Sequence, residues 1–138
     1  LLDSRKSISF AKTLSVPVIG VVENMSGYKI RGTASPGDHV TVMGPGGVPI
    51  SATTDDDGAW SMTLDVFKSG GGAHAAEDLG VPFLGSLPFD PGIVRGGDDG
   101  VHRIVAEPEG DTAMAFDGIV ENVLATLREG SGSSVRIT

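Results

Sequence analysis

Apolar residues crowd together at Val16, Val18, Ile19, Val21 and Val22 within Val16-Pro-Val-Ile-Gly-Val-Val-Glu-Asn-Met-Ser-Gly27, and strict alternation does not describe them. Such a run puts apolar side chains on both faces of a strand, the pattern of a parallel sheet covered by helices on both sides. It stops at the polar tip Glu23-Asn-Met-Ser-Gly27, the carboxyl end of the predicted strand, where open α/β sheets bind their ligands. Upstream, Ile8, Ala11 and Leu14 recur at helical spacing and Phe10 adds an i,i+4 pair with Leu14. This predicts a helix over Asp3–Leu14, capped by Asp3 or Ser4 and closed off by Pro17. A helix running at once into a doubly buried strand is half of a βαβ unit.

From Lys29 to Leu64 the period changes to two. Turn signals at Gly32-Thr-Ala-Ser-Pro-Gly-Asp38, Gly44-Pro-Gly-Gly47 and Asp55-Asp-Asp-Gly58 separate the short runs His39–Met43, Val48–Thr54 and Ala59–Leu64. Val40 and Val42 share one face, as do Trp60, Met62 and Leu64, so three or four short antiparallel strands with one apolar face are expected. After Phe67 the α/β pattern returns. Ser69-Gly-Gly-Gly72 leads into a helix over Ala73–Leu79 with Gly80 as its stop. Val81–Leu87 reads as a second buried strand, Pro88-Phe-Asp-Pro91 turns off its carboxyl end, and Gly92–Gly100 reads as a glycine- and charge-rich loop. Ile104–Ala106 is too short to assign. Asp111 or Thr112 opens a last amphipathic helix with Phe116, Ile119, Val120, Val123, Leu124 and Leu127 on its apolar side, and Gly130-Ser-Gly-Ser-Ser begins a flexible tail.

Composition narrows the function classes. The 138 residues suffice for one domain with a modest core, and the 21 glycines imply many turns. A formal charge of −8 argues against nucleic acid or an anionic membrane as partner. The chain has no cysteine, which excludes disulfides, thiolate catalysis and cysteine-ligated zinc or iron–sulfur sites built by this chain alone. No apolar run is long enough to span a bilayer. The first residues, Leu1-Leu2-Asp3, read as the interior of a helix, so a fragment is expected.

Two blocks resemble the carboxyl half of the Mrp/ApbC family. One runs from Leu1-Leu-Asp-Ser-Arg-Lys6 through Pro17-Val-Ile-Gly-Val-Val-Glu-Asn-Met-Ser-Gly27. The other joins Ser69-Gly-Gly-Gly72 to Glu77-Asp-Leu-Gly-Val-Pro-Phe-Leu-Gly-Ser-Leu-Pro-Phe-Asp-Pro91, Gly96-Gly-Asp98 and the last helix. Members are P-loop ATPases related to ParA and MinD that carry iron–sulfur clusters. The resemblance implies ATP as cofactor, with Asn24 and Met25 near the adenine ring and Pro88, Phe89, Asp90 and Pro91 closing over the base. An amide such as Asn24 can both donate to and accept from a purine edge. The alternative is that Asn24 caps a turn and the prolines stiffen one. The sequence departs from the family twice. It contains no G-x-x-x-x-G-K-[ST] loop to cradle phosphates, and Lys29–Leu64 stands where the family has Cys-x-x-Cys, so an iron–sulfur cluster is not expected. That replacing segment resembles the opening strands of bacterial Ig-like repeats.

Other candidates have plain structural readings. Asp55-Asp-Asp-Gly58 lacks the spaced ligands of a calcium loop and fits a hairpin turn. His39, His74 and His102 are scattered, and Trp60 fits a core anchor of the β segment. Gly96-Gly-Asp-Asp-Gly100 reads either as a mobile active-site loop or as a solvated one. The expected architecture is therefore α/β: a partial parallel sheet with flanking helices, half of a P-loop NTPase fold, plus a small antiparallel β insertion. Residues 1–27 and 66–129 form the ATPase-like part, 28–65 the Ig-like insertion and 130–138 the tail. The expected function is a cytoplasmic fragment of an Mrp-type carrier that supplies the adenine-side wall but no catalytic or metal residues. Its partners would be apo iron–sulfur proteins and either a second copy or a separate amino-terminal half. The alternative is a non-enzymatic Ig-like binding or adhesion module on an α/β remnant.

Overall fold

The computed structural model describes residues 2–131. Helix α1 spans Leu2–Thr13 and is followed by strand β1, Val21–Glu23. Four strands come next: β2 (Tyr28–Thr33), β3 (His39–Met43), β4 (Pro49–Thr53) and β5 (Ala59–Leu64). The chain then forms α2 (Gly71–Leu79), β6 (Phe83–Ser86), α3 (Pro91–Asp99), α4 (Arg103–Ala106) and α5 (Asp111–Ser131). The fold is mixed α/β, as the two hydrophobic runs and the changes of period imply.

β1 and β6 pair in parallel, with Val21 opposite Phe83 and Glu23 opposite Ser86. The crossover between them contains the four antiparallel strands and then α2. Pairing continues past the strands: Val21 N–H donates to Pro82 O at 2.8 Å, Leu87 N–H to Glu23 O at 2.7 Å, Ser26 N–H to Leu87 O at 3.0 Å and Phe89 N–H to Gly27 O at 2.7 Å. The buried side chains sit around β6. Both α2 and α5 pack on β6, and Leu84 of the strand, Ala75 and Ala76 of α2 and Ala113 and Ile119 of α5 are all buried. Asn122 of α5 donates from Nδ2 to Leu84 O at 2.9 Å, which ties the helix to the strand's backbone. The small alanines let both helices approach the strand closely.

The first hydrophobic run is not a strand buried on both faces. Only Val21–Glu23 of it forms a strand, and Val16, Ile19 and Val22 are 51%, 41% and 41% exposed. Apolar character alone cannot bury a face; a neighbour must cover it, and among the described residues β1 has one strand partner, β6. The second strand is likewise shorter than Val81–Leu87, although Leu84 is buried as expected. Gly92–Gly100, read as a loop, is mostly helix: Asp90 is its N-cap, Pro91 its first residue and Gly100 its left-handed C-cap. Pro at the first helical position after an Asp cap is a helix-start signal, and glycine content masked it. Ile104–Ala106 belongs to the short α4. On α5, Ile119 is buried while Val120, Leu124 and Leu127 are exposed, so only part of its apolar side is covered. Gly130 and Ser131 continue α5, and the rest of the expected tail lies outside the described residues.

The antiparallel segment contains four strands in two ribbons. β2 pairs with β5, placing Ile30 opposite Met62 and Gly32 opposite Trp60; β3 pairs with β4, placing Val40 opposite Ala52 and Val42 opposite Ile50. Burial alternates along every strand, and Met62 is buried with Trp60 and Leu64 on the same partly covered face. Asp55-Asp-Asp-Gly58 is a tight turn, closed by Gly58 N–H donating to Asp55 O at 3.0 Å, but not the expected hairpin: it leads from β4 to β5, which belong to different ribbons. Asp55 Oδ1 accepts from Asp57 N–H at 3.0 Å and from Ala59 N–H at 2.8 Å. Gly58 has φ +78°, and a Cβ there would stand 2.2 Å from Ala34 O, a backbone atom held close because Ala34 N–H donates to Gly58 O at 2.8 Å. Gly58→Ala is therefore expected to destabilise the β segment by about 1–3 kcal/mol. Urea denaturation followed by the fluorescence of Trp60 measures it, and an unchanged midpoint would contradict this packing.

Candidate functional site

The carboxyl ends of β1 and β6 lie side by side. The backbone bonds that join Ser26 to Leu87 and Gly27 to Phe89 bring the tip carrying Asn24 and Met25 next to the Pro88–Pro91 turn. Ser26 reinforces the join, because its hydroxyl also donates to Leu87 O at 3.0 Å. Asn24 is exposed, and its Oδ1 accepts from Met25 N–H at 2.8 Å. That bond supports the left-handed backbone of Met25, φ 60°, so the amide oxygen does serve as a turn cap. The Asn24 NH2 group makes no hydrogen bond among the described residues.

Glu23 fills the space where a glycine-rich loop meets a helix. Its carboxylate accepts from Gly70 N–H and Gly72 N–H, both at 3.2 Å, at the start of α2. A negative group at a helix N-terminus is favourable, because the first amides have no partner within the helix. Ser69-Gly-Gly-Gly72 thus has an internal anion and offers these two amides to no phosphate. Gly44-Pro-Gly-Gly47 is a hairpin connection between β3 and β4, closed by Gly44 N–H donating to Val48 O at 2.8 Å. Neither segment has the residues or the geometry of a phosphate cradle.

On the other side of the turn, Asp90 organises the starts of three helices. Its Oδ1 accepts from Gly92 N–H at 2.8 Å and caps α3. Its Oδ2 accepts from Arg103 Nε of α4 at 2.8 Å and from Thr112 Oγ1 of α5 at 2.7 Å. Arg103 also pairs with Glu107 one turn further along. Gly92 permits this arrangement, since a Cβ there would lie 2.5 Å from Arg103 Nε. With side chains 15% and 26% exposed, Asp90 and Arg103 form a pair largely withdrawn from water. Burial acts to raise the Asp90 pKa, but Arg103, Thr112 and the Gly92 amide outweigh it and hold the carboxyl below its ordinary value.

Pro88, Phe89, Asp90 and Pro91 line an open cleft of about 900 Å³ with Tyr28 and Arg31 of β2, facing α3 and the start of α5. Tyr28 meets Phe89 edge-on at 5.6 Å between centroids, and Phe67 meets the same ring in a tilted arrangement, also at 5.6 Å. Asn24 and Met25 do not line this cleft. The six residues expected to form one site are thus neighbours along two joined strand ends, but only the Pro88–Pro91 group borders the cleft. Sequence reading missed Tyr28, Lys29, Arg31, Arg95 and Arg103, which come from segments far apart in the chain. Among the described residues, no group of three or more His, Cys, Asp or Glu could hold a metal ion. Among the described residues, no helix is long and apolar enough to cross a membrane.

Two parallel strands packed against helices make this an α/β protein with a small parallel sheet. Residues 57–124 match the model of the ParA family described as NUBPL iron-transfer P-loop NTPase. The chain is 33% identical over 123 residues to an iron-sulfur cluster carrier protein of Synechocystis sp., covering 89% of this chain and 28% of that protein. It is 30% identical over 126 residues to a cytosolic Fe-S cluster assembly factor Nubp1 homolog of Drosophila ananassae, covering 91% and 32%. It is 31% identical over 129 residues to an iron-sulfur cluster carrier protein of Methanococcus maripaludis, covering 94% and 35%. The chain therefore spans about a third of the length of these curated relatives. The matches support the resemblance to the Mrp/ApbC family.

Removing the Asp90 carboxylate leaves Arg103 and the start of α3 without their acceptor. Asp90→Ala is expected to lower stability at neutral pH by about 2–4 kcal/mol. Because the folded carboxyl has a lowered pKa, its contribution is complete above the ordinary value of 3.8 and is lost as pH falls through the folded value. Urea denaturation of parent and variant should show a gap that is full at neutral pH and shrinks below pH 3.8. A gap that widens on acidification would refute the role given to Asp90.

Proposed function

We propose that this chain forms the adenine-side wall of the nucleotide site of an Mrp-type, ATP-using iron–sulfur cluster carrier. The single observation behind the reading is the parallel pairing of β1 with β6, prolonged by the Leu87–Glu23, Ser26–Leu87 and Phe89–Gly27 hydrogen bonds. That pairing supports a reading in which a planar base lies between the Asn24–Met25 tip and the Pro88–Pro91 turn, with an amide on one flank and a proline corner on the other. The unengaged NH2 group of Asn24 suits an acceptor on a purine edge. Asp90 acts by holding the turn in shape, since its oxygens already serve Gly92, Arg103 and Thr112.

In this reading the phosphates are held by a P-loop on another polypeptide or segment, because Glu23 already occupies the amides at Gly70 and Gly72. The chain lacks cysteine, so it cannot supply thiolate ligands to a cluster. Residues 1–27 and 66–129 are the ATPase-related part and 28–65 an Ig-like insertion. The names of the relatives, two of them cluster carriers and one a cytosolic assembly factor, support cytoplasmic work with apo iron–sulfur proteins as clients. A second copy or a separate amino-terminal half would complete the site.

The test is equilibrium binding of fluorescently labelled ATP and ADP to the full chain. Saturable binding is expected, weakened about tenfold or more in Asn24→Ala through loss of the base contact. Absence of binding both alone and after addition of a P-loop-bearing partner half would reject the nucleotide reading.

A further inference from the structure

We propose that two copies of this chain associate through α5, packed antiparallel along an exposed stripe formed by Val120, Leu124 and Leu127. The nucleotide reading neither uses nor specifies this surface, and the proposal stands apart from it. Thr112 at the start of α5 is held by Asp90, and Asn122 is tied to Leu84 O, so the helix runs back along β6. The stripe therefore lies towards the amino end of that strand, not at the Pro88–Pro91 turn.

Helix geometry sets out the stripe. Ile119 is buried and Asn122 bonds to the strand, which fixes the side of α5 that faces its own fold. Val120, Leu124 and Leu127 lie about a third of a turn away from that side, and they are 52%, 46% and 50% exposed. Their spacing, four residues and then three, is that of a seam between two packed helices. Asp117 and Ser131 continue the same spacing as polar residues, so the seam is short.

Charge identifies the occupant as a second copy. Glu121 and Arg128 are both exposed and stand one heptad apart on the same flank of the seam. Within one helix they are two turns apart and do not meet, since only residues three or four apart are neighbours. When two such helices pack antiparallel, like flanks face each other and run in opposite directions. Glu121 of each copy then meets Arg128 of the other, around a two-fold axis that passes between Leu124 and Ala125. Arg128 also interacts within its own chain, and the five donors of a guanidinium allow it a second acceptor. A different helix would have to supply the same two charges in reversed order; an antiparallel copy carries them already.

The contact is weak. Three half-exposed side chains from each copy bury well under the roughly 1,000 Å² of a lasting interface. The formal charge of −8 on each copy also opposes the approach. The dimer is therefore concentration-dependent.

Sedimentation velocity of the full chain, from micromolar to millimolar and without nucleotide, tests this. The mean mass is expected to rise with concentration towards that of two chains. Leu124→Gln, Glu121→Arg and Arg128→Glu should each weaken association about tenfold, with circular dichroism checking that each variant is folded. Mixing Glu121→Arg with Arg128→Glu restores opposite charges at both contacts, so the mixture should associate like the parent. The double variant Glu121→Arg/Arg128→Glu keeps the net charge and should do the same. A mass that stays at one chain, association unchanged in Leu124→Gln, or no recovery in the mixture and the double variant would overturn the proposal. Monomers whose stripe is covered instead by a separate amino-terminal half would overturn it too. Because no nucleotide is present, the outcome is independent of whether ATP binds.

Discussion

The Asp90 carboxylate is the interaction on which the helical half depends. It sits at the end of the segment leaving β6 and accepts from α3, α4 and α5 at the same time. The starts of three helices are thereby fixed around one polar point. α3 is glycine-rich and largely exposed, and α4 has only four residues, so neither can be held by burial alone. A partly buried carboxylate with three donors is worth more than the same bonds in water, because each unmade bond would leave a charge without solvent.

A second carboxylate does parallel work on the other face. Glu23, at the last paired position of β1, satisfies the amides that open α2. The strand is thereby joined to its crossover helix through a side chain as well as through packing against Ala75 and Ala76. The consequence for function is direct. A glycine-rich loop at a helix start suggests a phosphate site, and here the protein's own carboxylate is the anion. What the strand ends leave open is the tip at Asn24, with its unengaged amide nitrogen, and the flank of the Pro88–Pro91 turn.

The β segment is more than an appendage to this arrangement. Lys29 and Arg31 reach from β2 to Asp111 at the start of α5, and Tyr28 packs edge-on against Phe89 of the turn. The ribbon β2–β5 therefore meets the helical half at the place where the Asp90 cluster ends. The open space between the two parts, bordered by cations from both, exists because each part contributes one wall.

Local pattern carried a great deal of this structure. The alternation of Val40 with Val42 and of Trp60 with Met62 and Leu64, the Asp55–Gly58 turn, the Gly80 stop and the register of α5 follow from period, turn chemistry and capping, which act over a few residues. The family resemblance likewise rested on contiguous words of sequence such as Glu23–Gly27 and Pro88–Pro91. The helix over Pro91–Asp99 was also written locally, in Asp90 followed by Pro91, but its glycines hid the signal. Other features were decided only in three dimensions. Val16, Ile19 and Val22 have the composition of a buried strand yet stay exposed, because burial depends on which neighbours arrive and not on the residue's own character. The grip of Asp90 on Arg103 and Thr112, the capture of the Gly70 and Gly72 amides by Glu23, and the cleft between Arg31 and Arg95 join residues distant in the chain. A pattern of apolar and polar positions specifies which side of an element turns inward; which charges then meet is fixed by how the elements pack.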